Sequence, residues 1–491
     1  MKFLLLLLTT ILVIHGQTLA RNPGLKIKLS ESGLDYAAKV AVDKLSADVR
    51  AKKIPDFSGG SGRLSYGVSN IRIIHFTSPG SSVTTDTHNG ITMTLRNVGI
   101  SINGNWRYQW KWWFVRIRDS GSFDLSVSGV TLKLSLGMGV DRSGRPTLWI
   151  KSRQADIGNV HIRFHGGASW IYNLFSGYVE RKIADKLRSR VNNKYENRLF
   201  LRIPVKDVTT IDYRLVAAPE IANNYVQSSQ ILQKGEFFWT SHNTGTPFLP
   251  PPMEELQGTP KMITLCLSDY VSNSLGYVLY RYGKFYLRHT LTESELPSGV
   301  RNFMNIANYP EIGKGQSTGV FELVMYATKP PTLHTDKNGI KGYLRGTVEV
   351  RTRLPTRKMT TLLTLDANAT IDVVGRMTNE TITAHVQNFG ITTKVISPHV
   401  NSQTASQINS LMQDVSKYFI VPKLNDVGRI GYPLPVLDDV KYISPHMNLL
   451  KNTVCVSTDL KYDPSSINAL HVRVAENWKG ITEMNFYKRH E

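Results

Sequence analysis

Over residues 32–51 the apolar side chains recur at close to the helical period: Leu34, Ala37, Ala38, Ala41, Leu45 and Val49. That spacing predicts an amphipathic helix, with Ser30 or Ser32 placed to cap its start and Pro55 lying beyond its end. From 64 to 162 the period changes to two. Ile71-Arg-Ile73, Ile91-Thr-Met93-Thr-Leu95 and Phe123-Asp-Leu125-Ser-Val127 alternate, divided by Ser-Pro-Gly, Asn-Gly and other glycine-containing turns. This is the pattern of an antiparallel sheet whose strands are buried on one side. A second helix is expected over 169–198, with Ile171, Leu174, Phe175, Tyr178, Ile183, Leu187 and Val191 on one stripe. Its other face carries Arg181, Lys182, Lys186, Arg188, Arg190 and Lys194, which a solvated helix face explains as well as a binding surface does.

Thr246-Pro-Phe-Leu-Pro-Pro-Pro-Met253 marks a boundary, because consecutive prolines favour an extended, semi-rigid spacer. Beyond it the order recurs. A strand at 261–267 leads into a helix at 269–280, then come alternating segments at 320–326, 348–353, 361–365 and 381–386. A long helix at 402–424 carries Ile408, Leu411, Met412, Val415, Phe419 and Ile420. Both halves read as helix, many strands, long helix and a proline-marked return, an internal duplication of architecture. The expected division is 1–20 leader, 21–240 basic N-terminal domain, 241–258 linker, 259–462 C-terminal domain and 463–491 polar tail.

The leader has the make-up of a secretory signal: Lys2, a short apolar run over 3–14, and Thr18-Leu19-Ala20 at the cleavage positions. The mature chain is therefore expected to start at Arg21, secreted and extracellular, and no later run of about 20 apolar residues predicts a membrane span. With 491 residues and two cysteines, Cys266 and Cys455, the fold must rest on more than one hydrophobic core. Secretion permits those two to pair, and two buried thiols are the alternative. Asn368-Ala-Thr370 and Asn379-Glu-Thr381 are glycosylation sequons for a secreted chain.

Residues 105–118 carry the chemistry. Trp106, Trp110, Trp112 and Trp113 are interleaved with Arg107, Lys111, Arg116 and Arg118, and the first acid is Asp119. Indole rings favour the headgroup level of a bilayer, and each nearby cation adds about 1 kcal/mol of attraction to anionic lipid. A buried strand would account for the aromatic rings alone, but burying Arg107 and Lys111 without partners is costly. The net charge of +21 is also uneven: residues 21–245 hold a surplus of 15 positive charges and the remainder from Thr246 only 5. An anionic surface is the expected partner of the basic half. Nucleic acid and glycosaminoglycans fit the sign, but secretion and the tryptophans favour lipid, and nucleic acid is not expected.

Five stretches in order resemble one family: Asn22-Pro-Gly-Leu-Lys-Ile-Lys-Leu with the helix behind it, Ser120-Gly-Ser-Phe-Asp-Leu-Ser-Val127, Ile157-Gly-Asn-Val-His-Ile, Gly235-Glu-Phe-Phe with the proline linker, and Tyr432-Pro-Leu-Pro435. Together with the duplication they resemble the bactericidal/permeability-increasing protein, lipopolysaccharide-binding protein and plasma lipid-transfer protein family over nearly the whole mature chain. The resemblance implies an α+β, elongated two-domain molecule, each half a highly twisted antiparallel barrel-like sheet with two helices, joined by a central sheet. It also implies one lipid pocket per half, lined here by Leu34, Val40, Ile171, Leu174 and Phe175, residues that ordinary core packing would equally use. A bound phospholipid or other lipid is expected, with no other cofactor and no metal. A cationic tip is implied at Arg50, Lys52 and Lys53, at Arg107, Lys111 and Arg116 in the tryptophan hairpin, and at Arg163 in a loop before the second long helix. The partner is then lipopolysaccharide or anionic phospholipid on a bacterial or vesicle membrane surface, in antibacterial innate defence. An extracellular phospholipid or neutral-lipid transfer protein is the alternative. The family's disulfide between sheet and long helix is absent, since the matching positions near Arg153 and Glu196 hold no cysteine.

Enzyme chemistry finds little support. Gly315-Gln-Ser317-Thr-Gly319 matches the hydrolase elbow pattern, but that elbow needs a strand before it and a helix after it. Here a turn-rich segment precedes and a strand-like one follows. His161 and His165 have the spacing of metal ligands without the glutamate or the helix that a zinc-protease motif requires. The chain is not expected to be an enzyme.

Overall fold

The computed structural model describes residues 22–50, 54–78, 80–86, 90–166, 202–205, 209–222, 228–241, 244–256, 258, 261–292, 294, 320–353, 359–378, 381–396, 412–430, 432–433 and 440–463. They form a mostly β structure with few helices, divided into two compact units. One comprises 28–199 and 218–231, the other 1–27, 200–217 and 232–491. The leader, the polar tail after Asp463 and the expected helix over 169–198 lie outside the described residues.

β1 (Leu25–Ser30), whose first three residues belong to the larger unit, leads into α1 (Glu31–Arg50), which opens the N-terminal unit and matches the expected helix to within one residue at each end. Ser30 Oγ accepts from Gly33 N at 3.3 Å, the capping contact its position implied. A seven-stranded antiparallel sheet follows: β2 (Phe57–Ser61), β3 (Leu64–Thr77), β4 (Gly80–Asp86), β5 (Gly90–Trp112), β6 (Val115–Val140), β7 (Pro146–Asp156) and β8 (Asn159–His165). The path runs β2-β3-β5-β6-β7, with β4 on β5 and β8 on β6. β5 and β6 are far longer than the alternating segments that announced them. One face buries Val68, Ile71, Ile100, Ile102, Phe123, Leu125 and Val127 with Val42 of α1.

The N-terminal unit also holds β11 (Glu220–Ala222) and most of β12 (Ser228–Gln233); the larger unit holds β9 (Arg202–Val205), β10 (Thr209–Asp212), the end of β12, and β13 (Glu236–Trp239). After the proline linker come β14 (Ile263–Ser268) and α2 (Asp269–Arg281). Ser268 caps α2 by accepting from Tyr270 N at 3.2 Å. Asp269 in the first turn accepts from Thr335 N and Oγ1 at 2.9 and 2.6 Å, tying the helix start to the strand at Thr332–Asp336. Strands β15 (Tyr286–Thr292), β16 (Val320–Ala327), β17 (Thr332–Asp336), β18 (Gly339–Arg353), β19 (Met359–Thr378), β20 (Thr381–Val395) and β21 (Tyr432–Pro433) form a second seven-stranded sheet. Its core packs Phe321, Leu323, Val350, Leu363, Leu365 and Ile391 against Met412 and Val415. β22 (Val440–Leu450) and β23 (Thr453–Tyr462) then pair beside β14. Cys266 and Cys455 face each other across β14 and β23 and form a disulfide, so the pairing left open by the sequence is made.

The expected helix over 402–424 is described only from Met412, and it runs past Leu424 to Ile430 as α3 (Val421–Ile430). Pro422 reads as a terminator, because it lacks an N–H and crowds the carbonyl four residues back. The chain widens into a π-helical turn at Ser416–Ile420 just ahead of it, which lets the helix continue through the proline.

Near the start of the larger unit lies a buried charge cluster. Asp212 on β10 and Glu236 on β13 are cross-strand neighbours, each with its side chain 1% exposed. Arg214 clamps Asp212 through Nε and Nη2, and Lys234 Nζ sits 2.6 Å from Glu236. Burial is the largest single influence on Asp212 and pushes its pKa up. Hydrogen bonds from Arg214 and the charges of Lys234 and Arg214 outweigh it, holding the carboxyl below its ordinary value.

Candidate functional site

The tryptophan segment forms the end of the β5–β6 hairpin. Trp112 pairs with Val115, leaving Trp113 and Phe114 as a two-residue turn. Trp113 has φ +56°, the left-handed region that hairpins of this kind usually give to glycine. Trp113 is 88% exposed and Phe114 87%, their ring centroids 6.1 Å apart, and Val115 and Ile117 are exposed beside them. The largest apolar groups at the turn therefore point into water from a backbone position that disfavours them.

Two-residue alternation gives the hairpin two characters. Pairs Trp110↔Ile117 and Tyr108↔Asp119 share one face, while Lys111↔Arg116, Gln109↔Arg118 and Arg107↔Ser120 share the other. On that second face Arg107, Lys111, Arg116 and Arg118 are all exposed. Lys111 N donates to Arg63 O at 2.7 Å, which draws the turn between β2 and β3 alongside. Arg63 is exposed there and joins the cationic end, a residue the sequence reading missed. The Gly62-Arg63 turn ahead of β3 was its only signal.

Trp106 does not belong to the exposed set. It is 2% exposed, its Nε1 donates to Ser122 O at 3.0 Å, and its ring stacks on Tyr108 and meets Phe164 edge-on. Alternation turns it to the core face with Ile102 and Phe123, where its only polar atom finds a carbonyl. Trp110 is half-buried on that same face. Of Trp112 the structure describes the backbone pairing only. Arg163 is not in a loop: it sits on β8 opposite Asp124, level with Asn103. Eight residues separate Asn103 from Lys111 along β5, roughly 27 Å at strand rise, so Arg163 lies well away from the turn. Arg50 is the last residue of α1, and Lys52 and Lys53 lie outside the described residues.

An apolar surface lies at the opposite end of β5 and β6 from the turn. Leu34 and Ala38 of α1 pack on Val83 with Leu29, Ile91 and Met93 around them. Ile91↔Leu136 and Met93↔Leu134 continue that face across β5 and β6, and all four are only half-buried. Val40 is half-buried too. Ile171, Leu174 and Phe175 lie outside the described residues, as do Asn379 and the elbow-like Gly315–Gly319. β16 begins directly after that elbow at Val320, a strand where a hydrolase needs a helix. Asn368 is exposed on β19, cross-strand from Arg345 and Thr392. His161 and His165 are exposed on β8, and His165 Nε2 lies 2.8 Å from Asp124 Oδ2. Among the described residues no group of three His, Cys, Asp or Glu could hold a metal, and no helix is long and apolar enough to cross a membrane.

Residues 33–194 match the model of the LBP / BPI / CETP family N-terminal domain, and 204–462 that of its C-terminal domain. A bactericidal permeability-increasing protein from Sebastes schlegelii is 25% identical over 465 residues, covering 91% of this chain and 96% of its own length. The protein of that name from Rattus norvegicus is 27% identical, over 90% of this chain and 94% of its own. A lipopolysaccharide-binding protein from Bos taurus is 23% identical over 93% and 97%. The crystal structure of a lipopolysaccharide binding protein aligns over 90% of this chain and 99% of its own with a TM-score of 0.55 at 22% identity, a likeness of fold. With both domain models matched in order along one chain, this protein belongs to the LBP / BPI / CETP family.

Proposed function

We propose that this protein is secreted and binds lipopolysaccharide or anionic phospholipid membranes through the end of the β5–β6 hairpin, in antibacterial defence. One observation carries the reading: Trp113 and Phe114 stand in water at a turn whose left-handed backbone favours glycine. A fold has no use for that arrangement, whereas a membrane interface does. Arg63, Lys111, Arg116 and Arg118 beside them supply steering toward anionic headgroups. Relatives named for bactericidal permeability increase and for lipopolysaccharide binding support the same partner.

The half-buried face of Ile91, Met93, Leu134 and Leu136, at the other end of β5 and β6 from the turn, is a separate surface for acyl chains, at about 0.8 kcal/mol per methylene taken out of water. That surface also suits the second reading, transfer of phospholipid or neutral lipid between particles. Lipid binding here needs no catalytic step. The test is to replace Trp110, Trp112 and Trp113 together by alanine and measure association with anionic vesicles. Loss of most of the bound fraction is expected, and unchanged binding would sink the proposal.

A further inference from the structure

The cationic face of the hairpin does not end at the turn. β5 and β6 keep an unbroken register from Trp112↔Val115 to Ile100↔Val127, so the same face continues down the sheet for ten residues past Lys111, about 34 Å. Arg107↔Ser120 is followed by Asn105↔Ser122, with His165 of β8 on the far side of Ser122. The next rung is the fullest: Arg72 of β3, Asn103, Asp124 and Arg163 stand side by side across four strands. The last joins His75, Ser101, Ser126 and His161.

No aliphatic or aromatic hydrocarbon side chain stands in these rungs, although Ile74 is exposed in the β3 bulge between the last two, and their charge is one-sided. Arg72, Arg107, Lys111, Arg116, Arg118 and Arg163 stand against the single carboxylate of Asp124. The four cationic strand positions beyond Lys111 are all exposed, so their forks face solvent rather than a structural partner. Gly67 clears the way for Arg107: a Cβ there would meet Arg107 Nε at 3.0 Å, so the guanidinium lies across β3 where any other residue would crowd it. Rungs of hydroxyl, amide and guanidinium groups at intervals of about 6.8 Å suit a chain of hydroxyls with intermittent carboxylate or phosphate groups.

We propose that this face is a track for the anionic saccharide of a glycolipid whose lipid end is held at the hairpin turn. Two features of the molecule select that occupant. The charge complements acidic sugars, and the track is continuous with the apolar turn, so one amphipathic ligand reaches both. The inference rests on the proposed membrane role of the turn, yet it separates from it in experiment. A saccharide freed of its lipid has nothing for Trp113 and Phe114 to grip, and a phosphatidylglycerol vesicle has no sugar chain for the track.

The test uses the full-length secreted protein and an Arg72→Gln/Arg163→Gln variant, two positions far from the turn. The phosphorylated core oligosaccharide of a bacterial lipopolysaccharide, stripped of lipid by mild acid, is titrated by calorimetry. Phosphatidylglycerol vesicles are the second probe, and neutral dextran and heparin are comparators. Binding of the oligosaccharide by the unaltered protein is expected, weakened at least tenfold by the double substitution through lost charge-assisted hydrogen bonds. Vesicle binding should stay within about twofold, which also shows that the variant is folded. Equal oligosaccharide affinity in both proteins would overturn the assignment, as would no oligosaccharide binding at all. Binding of heparin without the bacterial oligosaccharide would overturn it in favour of a general polyanion surface. Failure of vesicle binding in the unaltered protein would instead count against the role of the turn.

Discussion

Replacing Trp113 by glycine separates what the fold requires from what a membrane requires. The residue has φ +56° and is 88% exposed. An L residue in the left-handed region is strained by roughly 1–2 kcal/mol, and glycine is not. Part of that gain returns as extra freedom of the unfolded chain. Folding stability should therefore stay level or rise by up to about 1 kcal/mol. The membrane term runs the other way. A tryptophan ring presents roughly 150–250 Å², worth about 4–6 kcal/mol if fully withdrawn from water. Half immersion at the headgroup level gives about 2–3 kcal/mol, a roughly 30- to 150-fold change in vesicle partitioning. Co-sedimentation with anionic vesicles measures the second quantity and urea unfolding the first. A fall in stability beyond about 1 kcal/mol would show that Trp113 serves the fold, and unchanged partitioning would show that it does not serve the membrane. Either result refutes the reasoning.

Trp106→Ala should behave in the opposite way, costing about 3–5 kcal/mol in urea unfolding because a buried ring and the donor to Ser122 O are both lost. Asp212 has a folded pKa below its unfolded value, so the stability it contributes is present above about pH 4 and is lost as the pH falls through the depressed value. Asp212→Asn should lower stability at pH 7 by about 3 kcal/mol or less, since Arg214 and Lys234 are partly exposed, and its gap to the unaltered protein should narrow as the pH falls below about 4. Paired Cys266→Ala and Cys455→Ala changes open a link spanning 189 residues and should lower stability by about 2–5 kcal/mol, read by unfolding under non-reducing conditions.

The helices show how far the sequence reaches. The period over 32–51 located α1, and the helix expected at 269–280 starts where α2 does, because helix patterning is a local property. Strand length was hidden for a physical reason. Gly121 reads as a turn within β6, but it is there for close approach: a Cβ would lie 2.0 Å from His165 O and against the Trp106 ring. Clustering of tryptophans pointed to the hairpin end, yet clustering ignores which face each ring takes. Alternation through 106, 108 and 110 would have assigned Trp106 to the core and left Trp113 at the turn. Arg63 and the track below the hairpin depend on which strands lie side by side, and neighbours forty residues apart leave no local pattern. The apolar face is the least legible part, since a surface for acyl chains and a dry core use the same residues.

The most direct measurement is binding of the protein to lipopolysaccharide, and to anionic and zwitterionic vesicles, across a salt series. Clustered cations at the hairpin should give tight binding to lipopolysaccharide and anionic vesicles that weakens steeply between low and physiological salt. Salt-insensitive uptake of lipid from zwitterionic vesicles, with no preference for anionic surfaces, would contradict the account and leave a lipid shuttle in its place.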